Sequence, residues 1–314
     1  MAKKILVISG PTASGKTGLA VALAKQYNGE VVSADSMQIY RRMDIGTAKP
    51  TAQEMAGIPH HMLDVAEPEE SFSVARYVEL AVQCIDDILR RGKLPILAGG
   101  TGLYIDSLLS GRTFASFSPD SPLRGELEAR FQAEGGGGLL AELAKVDPEA
   151  AGRLHPNDQK RIVRALEVYL TTGTSITQHN AQTKSISPRY DALTITLFFA
   201  RREDMWGRID QRVDQMMAAG LVDEVCALLA SGLDSDCTAM QAIGYKEMAA
   251  ALQGDGDTSR AAEEIKLRSR QYAKRQLTWF RRNAAAKPLI WPERPDFAVA
   301  RQASTGYMQE FGIV

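Results

Sequence analysis

Cysteine and histidine are both scarce in this chain, with three cysteines (Cys84, Cys226 and Cys237) and four histidines among 314 residues. An odd number of cysteines without close spacing excludes a disulfide framework and a cysteine-rich zinc site, and it fits a reducing compartment. With so few histidines, His60-His61-x-x-Asp64 has no third ligand at a fitting spacing, so it reads as a structured loop and not as a metal site. Long apolar runs are lacking too. The first follows the basic Lys3-Lys4 pair and stops at Ser9-Gly10, too short for the core of a signal peptide, and none is long enough to span a bilayer. A cytoplasmic protein without a membrane partner is therefore expected. There is also no excess of one charge sign: 37 Lys and Arg against 38 Asp and Glu leave a net charge of −1, so the total demands no acidic partner. Internal repeats are absent and no interface signal stands out, which makes a monomer the expected state.

What is present is an ordinary globular balance, 45% hydrophobic and 24% charged, in a length that allows one large domain or two moderate ones. Residues 5–8 are a compact aliphatic run that leads straight into a glycine-rich segment. Residues 17–26 then read as a helix, with Leu19, Ala20, Leu23 and Ala24 on one face. Runs at 30–34 and 94–98 read as further strands, ending at Asp35 and at Gly99-Gly100-Thr101-Gly102, with helical spacing through residues 73–91 between them. Strands alternating with helices predict an α/β core with a mostly parallel sheet and helices on its faces.

From about residue 113 the texture changes. Ser116-Phe117-Ser118-Pro119-Asp120-Ser121-Pro122 is linker-like, Gly135 to Gly138 are four consecutive glycines, and helical patterns at 123–133, 139–143 and 157–171 flank them. A strand-like run at 193–199 resumes the sheet. The expected organisation is a first part of the core at 1–114, a small helical insertion at 115–189 and a second part of the core at 190–314. The linkers make the insertion a candidate moving lid. The last part is expected to carry helices at 202–230, 239–252 and 259–286, and the stretch after Pro288 reads as a poorly defined extension.

The strongest chemical signal is Gly10-Pro11-Thr12-Ala13-Ser14-Gly15-Lys16-Thr17, which follows a strand and opens a helix as a phosphate-binding loop must. Its glycines let backbone N–H groups curl around an anion, the helix N-terminus adds partial positive charge, and Lys16 adds a full one. Thr17 can hold a Mg²⁺ that bridges phosphate oxygens. The motif names the anion, not the reaction. An ATP-using kinase usually adds a strand-end carboxylate for Mg²⁺, but the 94–98 strand ends in Gly99-Gly100-Thr101. The one strand-end carboxylate is Asp35, which could serve Mg²⁺ or take a proton from a nucleophile. Arg208 and Arg212 lie one helical turn apart. Either could close over the phosphates, or the two could be a surface pair.

Between residues 265 and 287 there are eight basic residues (Lys266, Arg268, Arg270, Lys274, Arg275, Arg281, Arg282 and Lys287) and no Asp or Glu. Lys266, Arg270 and Lys274 share a helix face, and Tyr272, Trp279 and Phe280 are interleaved. This fits nucleic-acid backbone binding with aromatic contacts. The alternative is a solvated basic face with its aromatics turned to the core. Arg153, Lys160, Arg161 and Arg164, with Gln159, form a smaller basic group with the same two readings.

Several motifs occur together and in order: the phosphate loop, Asp35-Ser36-Met37-Gln38-Ile39-Tyr40, Gly46-Thr47-Ala48-Lys49-Pro50 and His60-His61-Met62-Leu63-Asp64. Gly99-Gly100-Thr101-Gly102-Leu103-Tyr104, Gln241-Ala242-Ile243-Gly244-Tyr245-Lys246-Glu247 and Ala273-Lys274-Arg275-Gln276-Leu277-Thr278-Trp279-Phe280-Arg281 follow. From about residue 5 to residue 285 the chain resembles the bacterial tRNA dimethylallyltransferase (tRNA isopentenyltransferase) family.

The resemblance implies a P-loop nucleotide-kinase-like α/β core, a helical insertion that clasps the anticodon stem-loop of tRNA, and Mg²⁺. It implies transfer of a dimethylallyl group from dimethylallyl diphosphate to N6 of the adenosine 3′-adjacent to the anticodon, in tRNAs reading U-starting codons. By the same resemblance Asp35 orients the amine and accepts its proton, Arg212 closes over the diphosphate, and Thr12 and Thr101 lie near the reacting centre. The matching positions for tRNA contact are Asp35, Ser36, Met37, Gln38, Thr101, Leu123, Gln159, Lys160, Arg161, Ile162 and Val163, then Met240, Gln241, Ala242, Ile243, Gly244, Tyr245, Lys274 and Arg275. The loop would then hold the diphosphate leaving group, with ATP at most a poor mimic. A P-loop small-molecule or nucleoside kinase is the competing expectation, and it gives no reason for the basic helix.

Overall fold

Consecutive aliphatics at Ile5, Leu6, Val7 and Ile8 suit a strand covered on both faces, and in the computed structural model all four are fully buried. The structure describes residues 3–111, 121–184 and 187–314. Among these, the strands β1 (Lys4–Ser9), β2 (Gly29–Ser33), β3 (His60–His61), β4 (Leu94–Gly99), β5 (Asp191–Phe199) and β6 (Lys287–Trp291) form one parallel sheet in the order β3-β2-β4-β1-β5-β6. The central strand β1 sets Val7 opposite Leu97 of β4 and Thr194 of β5.

Because successive strand residues point to opposite faces, β1 feeds two cores. Ile5 and Val7 pack with Tyr77, Ile85 and Ile88 of the helix Val74–Arg90 and with Tyr245 and Met248. Leu6 and Ile8 pack with Leu19 and Leu23 of the helix Lys16–Gln26 and with Ala300 and Met308 of the helix Phe297–Phe311. No described helix is long and apolar enough to cross a membrane.

The stretch beyond Pro288 is not a loose extension. It belongs to β6, on the edge of the sheet, where a proline lacking an N–H is tolerated. The chain then turns into the helix Phe297–Phe311, fastened to the phosphate-loop helix by a 2.7 Å hydrogen bond between the Tyr27 and Thr305 hydroxyls. Three other expectations are also corrected. The segment 202–230 is two helices, Arg202–Ala218 and Leu221–Ala230, bent at Gly220. The helix expected from residue 239 starts only at Tyr245, so residues 239–244 are turns. The last basic segment is helical over Thr258–Phe280 and not to residue 286.

Contacts divide the chain into one unit of Met1–Leu109 with Arg189–Val314 and another of Ser110–Pro188. The start of the insertion at residue 115, and its linker as far as residue 120, lie outside the described residues. Ser121 caps the helix Pro122–Glu134, its hydroxyl accepting from Arg124 N. Of the glycine run only Gly135, at φ 74°, interrupts the helices. The other three open the helix Gly136–Val146, whose Leu139 and Leu143 pack with Leu127, Ile162 and Leu166 in a small core. Each helical glycine costs about 1 kcal/mol relative to alanine, and the buried leucines offset it.

Candidate active site

The carboxyl ends of β1, β2 and β4 lie side by side, which is where parallel α/β sheets bind ligands. The phosphate loop leaves β1, Asp35 follows β2, and Gly99-Gly100-Thr101 ends β4. In the loop, Ala13 and Gly15 take positive φ of 60° and 85°, turning successive N–H groups inward. Lys16 Nζ donates to Pro11 O at 2.7 Å, and Thr17 lines the same cavity. Ser14 Oγ is buried without a hydrogen-bond partner among the described residues.

Three outside elements brace this loop. Gln276, from the helix Thr258–Phe280, accepts from Thr12 N and donates to Gly100 O, both at 2.9 Å. Trp291 Nε1 of β6 donates to Ser14 O at 2.8 Å. From the helix Arg202–Ala218, Arg208 Nε donates to Ala13 O at 3.0 Å and Arg212 Nη1 to Thr12 Oγ1 at 3.2 Å. Thus both arginines reach the loop, and a simple surface pair is ruled out. Among the described residues Lys16, Arg208 and Arg212 donate only to carbonyl or hydroxyl oxygens. Desolvation, helped by the Arg212 charge and opposed by Asp35, pushes the Lys16 ammonium down to a pKa of about 7. Desolvation lowers the Arg212 value too, again against the pull of Asp35. Three partly buried basic side chains gathered on a loop at a helix N-terminus make a candidate polyanion site.

Two cavities meet here. One of about 590 Å³ holds the loop, Arg208 and Gln276. The other, of about 320 Å³, is largely apolar, with Met37, Ile209, Val213, Met216, Ile243 and Ile265 in its wall. Thr12, Asp35, Thr47, Arg212 and Tyr272 line both. At this seam Asp35 Oδ1 accepts from Met37 N at 2.9 Å, while no described residue donates to Oδ2. Thr101 is placed differently. Its hydroxyl accepts from Ser36 N at 3.0 Å and its side chain also meets Tyr272, so it stands one residue back from the cavities, against the turn that carries Asp35.

The residues matched to tRNA contact separate by exposure. Ser36, Met37, Gln241, Ala242, Ile243 and Arg275 line the apolar cavity, and Lys274 is exposed. Gln38 also lines the phosphate cavity, but its amide donates to Thr47 O and Ala48 O. Met240 and Tyr245 are fully buried, and Gly244 is buried with them. In the helical unit Lys160 and Arg161 are exposed and Gln159 and Leu123 half-buried, whereas Ile162 and Val163 belong to the core and cannot offer side chains to RNA. The 258–280 helix is less basic than its sequence reads. Lys266 pairs with Asp214 and Glu263, Arg268 with Glu264, and Arg270 with Asp210. Among the described residues, Lys274 and Arg275, toward its C-terminal end, form no ion pair.

The missing carboxylate at the end of β4 has a steric cause. A Cβ on Gly99 would stand 2.2 Å from Ala34 O, and Thr101 N donates to that same carbonyl at 3.0 Å. No side chain fits at Gly99, so a carboxylate cannot stand at that strand end.

The sequence model for IPP transferases matches residues 38–283, well over half the chain. The chain belongs to that family. It is 50% identical to tRNA dimethylallyltransferase 1 of Trichlorobacter lovleyi over 293 residues, which cover 93% of this chain and 95% of that one. It also resembles the solved full-length tRNA isopentenylpyrophosphate transferase of Bacillus halodurans, with 42% identity, 99% and 98% of the two chains covered and a TM-score of 0.72. A eukaryotic dimethylallyltransferase solved acting on tRNA is similar at 30% identity, over 98% of this chain and 80% of that one, with a TM-score of 0.83. The family match stops before β6, yet Trp291 grips the loop at the other end of the chain. Residue reasoning missed Gln276, Tyr272 and Trp291 as parts of the site. Gln276 and Tyr272 were in view inside the basic segment, but a glutamine and a tyrosine on a helix give no sign of what they face.

Proposed function

We propose that the protein transfers the dimethylallyl group of dimethylallyl diphosphate to N6 of the adenosine 3′-adjacent to the anticodon, in tRNAs reading U-starting codons, and releases diphosphate. The reading is carried by one observation: a carboxylate with a free oxygen stands where a cationic phosphate cavity joins an apolar one. The loop, Lys16 and Arg212 hold the diphosphate, and the allylic carbon faces the apolar side. As the carbon–oxygen bond breaks, negative charge grows on the departing oxygens and the cations stabilise it. The adenine, flipped out of the anticodon loop, presents N6 to the carbon, and Asp35 Oδ2 takes the proton as the nitrogen–carbon bond forms. The described residues contain no group of three or more His, Cys, Asp or Glu that could hold a metal. A Mg²⁺ would therefore lean on the Thr17 hydroxyl and the diphosphate oxygens, a hard-oxygen set that suits it. Its contribution would be to neutralise the leaving group.

The exposed Lys160, Arg161 and Lys274, with Arg275, supply positive charge for the stem-loop. The enzyme acts as a cytoplasmic monomer. Purified protein given labelled dimethylallyl diphosphate and unmodified tRNA should place label on adenosine. Label entering only from ATP, or none with several suitable tRNAs, would sink the reading.

The Lys16 ammonium gives donor binding a pH signature. A bound diphosphate favours the charged form, so Lys16 titrates higher in the complex than in the free protein. Affinity is then strongest below pH 7 and falls as pH rises between the two values, by up to about tenfold per unit. At pH 8 binding should take up close to one proton, measurable by calorimetry in buffers of different ionisation heat. Zero uptake would show that the charge state of Lys16 does not change on binding.

A further inference from the structure

The wall of the apolar cavity is built from two segments far apart in the chain: the loop carrying Gly46, Thr47 and Ala48, and the turn carrying Gln241, Ala242 and Ile243. One side chain that lines neither cavity joins them. Glu224 Oε2 accepts from Asp44 N and Ile45 N, both at 2.8 Å, and Oε1 accepts from Gly46 N at 3.0 Å and from the Tyr245 hydroxyl at 2.5 Å. No lysine or arginine among the described residues forms an ion pair with it, so backbone N–H groups and one phenol are its whole set of partners.

Tyr245 stands two residues past Ile243 of the second wall segment and is fully buried. Its ring lies so close to Gly46 that a Cβ there would stand 2.4 Å away. The first segment is strained as well, with Ala48 at φ 47°, and Gln38 holds it from the other side through Thr47 O and Ala48 O. Backbone of this kind persists only where its surroundings over-determine it.

Resting on the transferase reading above, we propose that Glu224 is a positioning residue that ties the two walls together. It sets the width of the apolar cavity and thereby the approach of acceptor and prenyl group to Asp35. The phosphate loop is braced independently by Gln276, Trp291 and Arg208, so the tie governs the chemical step and leaves the grip on diphosphate alone.

The test compares Glu224→Gln, Tyr245→Phe and the double variant with the unaltered protein. Glu224→Gln turns an NH₂ group toward backbone N–H donors, and it should lower kcat about ten- to hundredfold, the scale of a misplacement near 1 Å. Binding of inorganic diphosphate, followed by calorimetry, should stay within about twofold. Tyr245→Phe should show a smaller fall, and the double variant should be no worse than Glu224→Gln alone, as expected for one shared linkage. Hydrogen exchange, which is independent of donor and acceptor identity, should rise at both 44–48 and 240–245 in Tyr245→Phe. The proposal is overturned by an unchanged kcat in folded Glu224→Gln, by diphosphate affinity falling in step with kcat, or by exchange rising in one segment only or in neither. If Glu224→Gln does not fold, Tyr245→Phe decides alone, since it keeps the carboxylate and its three backbone bonds. Unaltered protein that binds diphosphate but transfers nothing counts against the transferase reading, and the exchange result still judges the tie.

Discussion

Replacing Asp35 by alanine is expected to lower dimethylallyl transfer roughly 10³- to 10⁴-fold, the upper part of the range for a positioned general base, with tRNA binding within a few-fold of normal. The exocyclic amine of adenine is a weak nucleophile because its lone pair is delocalised into the ring. On the proposed mechanism its proton leaves as the new bond forms, and Asp35, which lines both cavities, would accept it through Oδ2. Alanine also removes Oδ1, which caps the turn at Met37 N, so the loss mixes chemistry with shape. Asp35→Asn separates them. It keeps an oxygen for Met37 N and offers no base. Near-normal turnover by the asparagine variant would remove Asp35 from proton transfer, and a large loss of tRNA binding in the alanine variant would reassign it to a structural role.

Removing the Arg212 side chain is the second change with a large expected effect. A charge aimed at a developing oxyanion in a partly desolvated site is worth about 10²- to 10³-fold in kcat. Arg212→Ala should lose that much, with a weaker hold on diphosphate as well. Because the Arg212 charge helps push Lys16 down, its removal also lets the Lys16 pKa rise from about 7. The pH at which donor affinity begins to fall should therefore move upward in the variant. Arg212→Lys keeps a charge but not the reach to Thr12 Oγ1, so it should fall between the two. An alanine variant with unchanged kcat and an unchanged pH profile would mean that Arg212 only buttresses the loop.

Both predictions concern residues that stand out in the sequence, and the reason is local. A phosphate loop depends on backbone turns over eight residues, and Asp35 stands two residues past a five-residue strand, so a short window carries each signal. The main alternation of strands and helices up to residue 102 was legible for the same reason, as was the family, but His60–His61, read as a loop, is the edge strand β3 paired with β2. The glycine run misled because propensity is a weak prior. Leu139 and Leu143, three and seven residues past Gly136, had a buried face waiting for them. The basic helix misled in another way. Its segment from residue 265 has no acid, but the carboxylates that pair with Lys266, Arg268 and Arg270 stand on the Arg202–Ala218 helix or one turn earlier on its own.

By itself, then, the sequence determined the family, the phosphate-loop motif and the strands that carry it, because each is written in contiguous residues. The tertiary structure decided the rest. It made a strand of Lys287–Trp291, whose hydrogen-bond partners lie some ninety residues earlier in β5, and it brought Trp291 and Gln276 onto a loop near the start of the chain. It also turned Glu224 toward three backbone N–H groups that no periodicity could point to. Such contacts depend on closing long loops around a common core, and that information is held by the packing of the whole chain.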